Sequence, residues 1–300
     1  MIKAEGLVKR FGRATAVDGV DLVVPTGTVL GVLGPNGAGK TTTVRMLTTL
    51  LRPDGGRASV HGHDVVREAD QVRRMIGLTG QYATVDEGIS GRENLYLIGR
   101  LLDLSRRGAR QRTEQLLERF DLVDAAGRPV RTYSGGMRRR LDLAASLVGE
   151  PSVLFLDEPT TGLDPRSRNG LWDEVRALVA GGATVLLTTQ YMEEAEALAD
   201  EVVVIDGGRV VAAGPTEQLR ARVGGQVLHV RPAYDRDLPA IARLLGGVLD
   251  DDHVRLPLPD DTALTRALWL LSRSGLGIAA VDTKVPSLDE VFLTLTGRTS

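Results

Sequence analysis

Gly34-Pro35-Asn36-Gly37-Ala38-Gly39-Lys40-Thr41 matches GxxxxGK[ST] and lies between an apolar run and a helical pattern that begins at Thr42. That spacing suits the binding of a phosphate chain. Several backbone N–H groups must reach one anion together, bulky side chains would keep them away, and the helix N-terminus that follows presents its dipole to the same place. Lys40 is expected to reach phosphate oxygens as a point charge, and the Thr41 hydroxyl to ligate Mg2+. Further along, Val153-Leu154-Phe155-Leu156-Asp157-Glu158 ends an apolar run on two carboxylates. Open α/β sheets bind ligands at the C-terminal ends of their strands, so Asp157 is expected to serve the metal, directly or through water. Glu158 is then placed to take a proton from an attacking water. Adjacent carboxylates at a strand end also serve as helix caps, and the phosphate-type loop is what favours the chemical reading. Ser134-Gly135-Gly136 puts an N-cap serine and two exposed amides before the helical pattern Met137 to Val148. That makes a second place for an anion, though the same turn also occurs as a plain cap.

These groups need a scaffold that gathers strand ends. Through residue 220, short β-branched or leucine-rich runs alternate with longer helical patterns, as in a parallel sheet covered by helices. Thr28 to Leu33, Ser152 to Leu156 and Thr184 to Thr189 read as strands buried on both faces. Glu201 to Ile205 and Val210 to Ala213, joined by Asp206-Gly207-Gly208-Arg209, read as an edge hairpin. Between about Asp86 and Glu150 helical periodicity dominates, which predicts a helical insertion into the α/β core. Gly214, Pro215, Gly224 and Gly225 mark a boundary, giving domains 1–220 and 221–300. The second reads βαββαβ, the order of a small ferredoxin-like domain. A final helix is expected where Ser287 and Glu290 have capping-box spacing and Leu288, Val291, Phe292 and Leu295 share a face, serving either core packing or docking.

Composition removes whole classes of function. With no cysteine among 300 residues, disulfide scaffolds, cysteine-ligated zinc folds and thiol enzymes are excluded. The 37 basic and 39 acidic side chains give a net charge of −2, so no global attraction to nucleic acid is expected. The dense cluster Arg106, Arg107, Arg110 and Arg112 is followed by Glu114 and Glu118, as on a solvated helix face. No apolar run approaches the roughly twenty residues a membrane span needs, and Lys3, Glu5, Lys9 and Arg10 interrupt any secretory leader. A soluble chain is expected. Glycine is plentiful, 35 residues, and part of that excess falls in the two phosphate-type turns.

The glycine loop, the carboxylate pair and Tyr133-Ser134-Gly135-Gly136-Met137 together resemble the ATP-binding cassette (ABC) family of transport ATPases, whose signature is usually LSGGQ. The resemblance implies a P-loop NTPase cassette, ATP and Mg2+, and a homodimer in which each signature reaches the γ-phosphate held by the other subunit's loop. It also implies that Gln81 contacts Mg2+ or its water and leads to the membrane partner, and that Asp164 in Thr161-Gly162-Leu163-Asp164 helps the subunits sense each other. Phe11 takes the place of the aromatic that stacks on adenine, with a core phenylalanine as the alternative. One position departs: where most members carry a switch histidine after the strand, this chain has Gln190, which cannot titrate or carry charge. With Glu158 intact a working ATPase is expected, a slowed site being the alternative.

Gln190-Tyr191-Met192-Glu193-Glu194-Ala195-Glu196, Gly80-Gln81-Tyr82 and Leu288-Asp289-Glu290-Val291-Phe292-Leu293 narrow the resemblance to ATP-binding subunits of the daunorubicin-resistance type. That implies an integral-membrane permease as partner, a place on the cytoplasmic face of the membrane, and an exported amphipathic drug that contacts mainly the permease. A lipid or polysaccharide cargo is the alternative, and a soluble cassette acting on nucleic acid or ribosomes is the rival class.

Overall fold

Val153–Asp157 is buried along its whole length, and its alternate side chains feed two separate cores. Val153 and Phe155 pack with Leu30, Val32 and Leu186, while Leu154 and Leu156 pack with Val185 and Leu187 on the opposite face. A strand with no wet face must be covered on both sides. Six strands lie in the order Arg209–Gly214, Glu201–Asp206, Val29–Leu33, Thr184–Thr189, Val153–Asp157, Ile76–Thr79. The pairings among the last five are all parallel, which brings their C-terminal ends to one edge of the sheet. In this computed structural model the described residues are 1–80, 85–223, 226–259 and 261–284.

One face is covered by helices, including Gly135–Ser146 and Pro165–Ala180. The other face corrects the expectation of helices on both sides. There an antiparallel sheet, ordered Ala14–Val24, Ile2–Phe11, Gly55–Val60, His63–Asp64, joins the helix Lys40–Leu47 in closing the core. Register shifts fall between Ala4 and Leu7, Leu7 and Val8, and Lys9 and Arg10 in the Ile2–Phe11 strand. Each shift breaks the period-two pattern by which a strand is recognised from sequence.

The region expected to be helical holds Gly91–Leu101, Arg106–Arg119 and Gly135–Ser146. Ser90 and Glu93 form a complete capping box at the first of these, satisfying two otherwise orphaned N–H groups. Tyr133, the departure at the head of the signature, has a local reason. Its ring is buried, its hydroxyl donates to the Ala125 carbonyl at 2.8 Å, and that hydroxyl occupies the space a Cβ on Gly91 would need. Burial pushes the phenol pKa upward.

Close packing divides the chain into Met1–Ala213 and Gly214–Ser300. The second unit begins at the first glycine of the segment in which a boundary was expected. It holds a four-stranded antiparallel sheet in the order Val248–Asp250, His253–Pro257, Val227–Pro232, Ile278–Lys284, with helices Leu238–Leu245 and Asp261–Arg273. The expected helix around Ser287 to Leu295 lies outside the described residues. No described helix is long and apolar enough to cross a membrane.

Tyr133→Phe removes one buried hydrogen bond and leaves the Ala125 carbonyl with the Arg128 N–H as its donor. We expect a loss of about 0.5–1.5 kcal/mol of stability, read as a lower urea midpoint at unchanged slope. An unchanged midpoint would remove the hydroxyl from the account of this position.

Candidate active site

The glycine loop connects Val29–Leu33 to the helix Lys40–Leu47. Glycine is required at both of its ends. A Cβ on Gly34 would overlap the Ile205 carbonyl, and one on Gly39, which has φ 107°, would overlap the Ala16 carbonyl. Gly39 opens the helix in the left-handed region, so the helix begins at Lys40 rather than Thr42, and its first N–H groups face the loop. The Lys40 ammonium is buried, donating to the carbonyls of Gly34 at 2.8 Å and Pro35 at 3.1 Å. It also lies 3.3 Å from Glu158 Oε1, which is itself buried.

Glu158 is held there by its backbone. Its φ of 51° turns the chain sharply at the end of Val153–Asp157, and its N–H is accepted by both the carbonyl oxygen (3.0 Å) and the hydroxyl (3.1 Å) of Thr188. Asp157 is one residue earlier and almost fully buried. Its Oδ1 accepts from the Thr188 hydroxyl at 2.5 Å and the Thr41 hydroxyl at 3.2 Å. The candidate base and the candidate metal carboxylate therefore meet the loop from the strand next but one, across Thr184–Thr189.

A cleft of about 660 Å³ opens over this constellation, lined by Phe11, Asn36, Gly37, Ala38, Gly39, Lys40, Thr41, Thr42, Glu158 and Gln190, with Ala16 and Thr161. Phe11 is half exposed there rather than in a core, which disposes of the alternative left open by its sequence. Gln190 follows Thr184–Thr189 and reaches the same cleft. Ser134, Gly135 and Gly136 do not line it. Ser134 caps Gly135–Ser146, accepting from Met137 N–H at 3.2 Å, so the helix starts two residues before the expected Met137 and takes both glycines into its first turn. Asp164 also lies off the cleft lining, as N-cap of Pro165–Ala180, accepting from Ser167 N–H at 3.0 Å and Ser167 Oγ at 2.6 Å. Those bonds lower its pKa. Gln81 lies outside the described residues.

Three side chains with a part in the site escaped the sequence reading: Thr188, Arg139 and Glu194. Arg139, in the middle of the run Arg138-Arg139-Arg140, points inward. It donates to the carbonyls of Gly80 (2.8 Å), Glu158 (2.9 Å), Asp157 (3.3 Å) and, more closely still, Pro159. Burial lowers its pKa, against the attraction of Asp142, Glu194, Asp157 and Glu158. One guanidinium thus ties the helix Gly135–Ser146 to the turn at Glu158 and to the residue before Gln81. Glu194, on the helix Met192–Leu198 just after Gln190, is fully buried and accepts from Trp172 Nε1 at 3.2 Å. Its burial raises its pKa. A run of three arginines or a Glu-Glu pair carries no mark in sequence of which member faces inward.

The donor set fits a nucleotide triphosphate with Mg2+: hard oxygen ligands at Thr41 and Asp157, a dry ammonium beside them, and a loop with no room for side chains at Gly34 and Gly39. The comparisons with known proteins agree. A family profile described as ABC transporter matches residues 17–161. The chain is 56% identical to the daunorubicin resistance ATP-binding protein DrrA3 of Streptomyces coeruleorubidus, over 99% of this chain and 96% of that one. It is 55% identical to the daunorubicin/doxorubicin resistance ATP-binding protein DrrA of Streptomyces peucetius, over 99% and 92%. A solved structure described as the ATP-binding subunit of an ABC transporter superposes with a TM-score of 0.67 at 27% identity, covering 74% of this chain and 92% of that one. The fold and site define an ABC-type ATPase cassette. The chain belongs to the family of ABC transporter ATP-binding subunits, which bind ATP with Mg2+, hydrolyse it, dimerise and work with a membrane permease.

The raised pKa of Glu194 has a signed consequence. Burial penalises its charged form only in the folded chain, so its contribution to stability is fully present below the ordinary glutamate value of 4.5 and is lost as pH rises through the raised folded value. Glu194→Gln removes that loss. The melting temperature of the variant relative to wild type should climb between pH 4.5 and neutrality, and a difference that ignores pH would contradict the buried-acid account.

Proposed function

We propose that this chain is the ATP-hydrolysing subunit of an exporter for amphipathic, anthracycline-like drugs, working as a homodimer beneath a separate membrane permease on the cytoplasmic face of the membrane. The observation that carries the hydrolytic part is the convergence of Lys40, Thr41, Glu158 and Gln190 on one cleft, with Asp157 accepting a hydrogen bond from Thr41. The drug cargo rests on the identity to the daunorubicin resistance proteins along nearly the whole chain, including the part beyond the cassette. Residues 1–220 serve as the ATP-binding domain and residues 221–300 as a regulatory or dimerising domain.

In this reading the triphosphate of ATP lies along Gly34 to Thr42, its oxygens taking backbone N–H groups, with Phe11 against the adenine. The γ-phosphate competes with Glu158 for the Lys40 ammonium, so binding frees the carboxylate that hydrolysis needs. Thr41, Asp157 directly or through water, and Gln81 would hold Mg2+, which would supply neutralising charge to the phosphate oxygens. Glu158 takes a proton from water as the water oxygen bonds to the γ-phosphorus and the bond to the β,γ-bridging oxygen breaks, leaving ADP and phosphate. The Gln190 amide donates to the γ-phosphate in place of an imidazole. It stays neutral at every pH, so the switch position adds no titration of its own. As the resemblance to the family implies, Ser134, Gly135 and Gly136, which do not line their own chain's cleft, act on the nucleotide of a second copy, with Asp164 beside that joint. ATP then forms part of the dimer interface, and its hydrolysis lets the two subunits separate. The permease follows that cycle because its two orientations favour the joined and separated pairs differently.

The assignment is tested in membrane vesicles holding the chain with its permease. Glu158→Gln should lower ATPase activity about 10²- to 10⁴-fold and abolish ATP-driven doxorubicin uptake. Gln190→Ala should lower kcat about 10²- to 10³-fold. Wild-type turnover in Glu158→Gln would sink the catalytic role. Normal ATPase without drug movement or drug stimulation would redirect the cargo to a lipid or polysaccharide.

A further inference from the structure

We propose that Thr188 is a positioning residue for hydrolysis: its single hydroxyl aims the Asp157 carboxylate and holds the turn that presents Glu158. The inference rests on the hydrolytic reading above but concerns a residue that touches neither nucleotide nor water.

Thr188 sits opposite Asp157 in the parallel pairing of Thr184–Thr189 with Val153–Asp157, and it is completely buried. Every other residue of Thr184–Thr189 is buried as well, so valine would fill this position with nearly the same shape. A buried hydroxyl costs free energy unless it is bonded, which makes its partners the point of interest. A threonine hydroxyl has one proton and two lone pairs. The proton goes to Asp157 Oδ1 at 2.5 Å, a charge-assisted bond, and a lone pair accepts the Glu158 N–H at 3.1 Å. With both in place the hydroxyl cannot rotate without breaking its stronger bond.

Each partner has its own need for that bond. Asp157 Oδ1 receives a second donor, the Thr41 hydroxyl, but at 3.2 Å, and Thr41 is a residue expected to turn toward the metal. Thr188 therefore maintains the carboxylate's direction when Thr41 is otherwise engaged. Glu158 has a φ of 51°, a left-handed conformation that costs a residue bearing a Cβ about 1–2 kcal/mol. Its N–H is shared between the Thr188 hydroxyl and the Thr188 carbonyl at 3.0 Å, and this shared bond opposes relaxation of the turn. Relaxation would move the carboxylate away from Lys40, now 3.3 Å from it. One hydroxyl thus fixes both acids relative to the glycine loop.

The test compares full-length Thr188→Val, Thr188→Ser and Thr188→Ala with wild type and Glu158→Gln. Serine keeps the hydroxyl and alanine loses it, so this pair isolates the hydroxyl even if the valine variant does not fold. Thr188→Val and Thr188→Ala should lower kcat about 10- to 100-fold while KM for ATP changes less than about threefold, and Thr188→Ser should restore most of the rate. A readout independent of turnover is the Mg2+ concentration needed for tight binding of a fluorescent non-hydrolysable ATP analogue. It should rise about 10- to 100-fold in the variants without the hydroxyl and stay near wild type in the serine variant. If Glu158→Gln is inactive while Thr188→Ala matches wild type in rate and Mg2+ dependence, the hydrolytic reading stands and this proposal is overturned. If Thr188→Ser is as impaired as Thr188→Ala, the methyl packing rather than the hydroxyl matters, and the proposal is equally overturned. If Glu158→Gln hydrolyses like wild type, the hydrolytic reading falls, and the Mg2+ titration alone decides the role of Thr188.

Discussion

A dry ammonium facing a dry carboxylate is the constraint around which the cassette is arranged. Lys40 and Glu158 lie 3.3 Å apart, both buried. At an effective dielectric of about 20 their attraction is about 5 kcal/mol, comparable with the several kcal/mol it costs to dry each ion. The pair therefore adds little net stability. What it provides is exchangeability: an anion entering the loop can take the ammonium at small cost and free the carboxylate. Such an arrangement survives only if the backbone around it is rigid. Lys40 comes from the helix after Val29–Leu33, and Glu158 from the turn after Val153–Asp157. The strand between them, Thr184–Thr189, carries Thr188 near its end and is followed by Gln190 in the cleft lining. Parallel pairing brings these three ends to one edge, and the two cores on either face keep them there.

Rigidity at that edge is also linked to the helical region. The guanidinium of Arg139 leaves the signature helix and bonds carbonyls of Gly80 and of Asp157 to Pro159. A carbonyl oxygen offers no alternative protonation state, so these bonds depend on geometry alone. The same region carries Ser134 and its two glycines on the N-terminus of that helix. Any movement of the helix would therefore be felt at the Glu158 turn through this side chain. The buried Glu194 on the helix after Gln190 adds an opposite charge to Arg139's surroundings.

Much of this was legible in residue order because some functions demand particular side chains at particular spacings. The phosphate loop tolerates no Cβ at Gly34 and Gly39, and the lysine must follow directly. The carboxylates must stand at a strand end, and Val153 to Leu156 is apolar on both faces, so that strand announces itself. The strands of Ile2–Phe11 and Ala14–Val24 do not, because register shifts interrupt their alternation. Phe11 shows the limit from the other side: a lone aromatic residue reads equally as core or as ligand contact until its exposure is known.

By itself the sequence determined the chemistry available to this protein: a glycine loop suited to a phosphate, a lysine, two carboxylates, a glutamine where an imidazole is usual, and a chain organised as a cassette with a smaller βαββαβ unit after it. These follow from covalent identity and local spacing, which residue order contains in full. Only the tertiary structure decided which polar groups hold that chemistry in place. Thr188 is indistinguishable from a β-branched strand former, and Arg139 from its two neighbours, until a parallel register sets one opposite Asp157 and helix packing turns the other inward. Hydrogen bonds between residues 31 or 18 positions apart in the chain are set by pairing and burial. No local pattern encodes them.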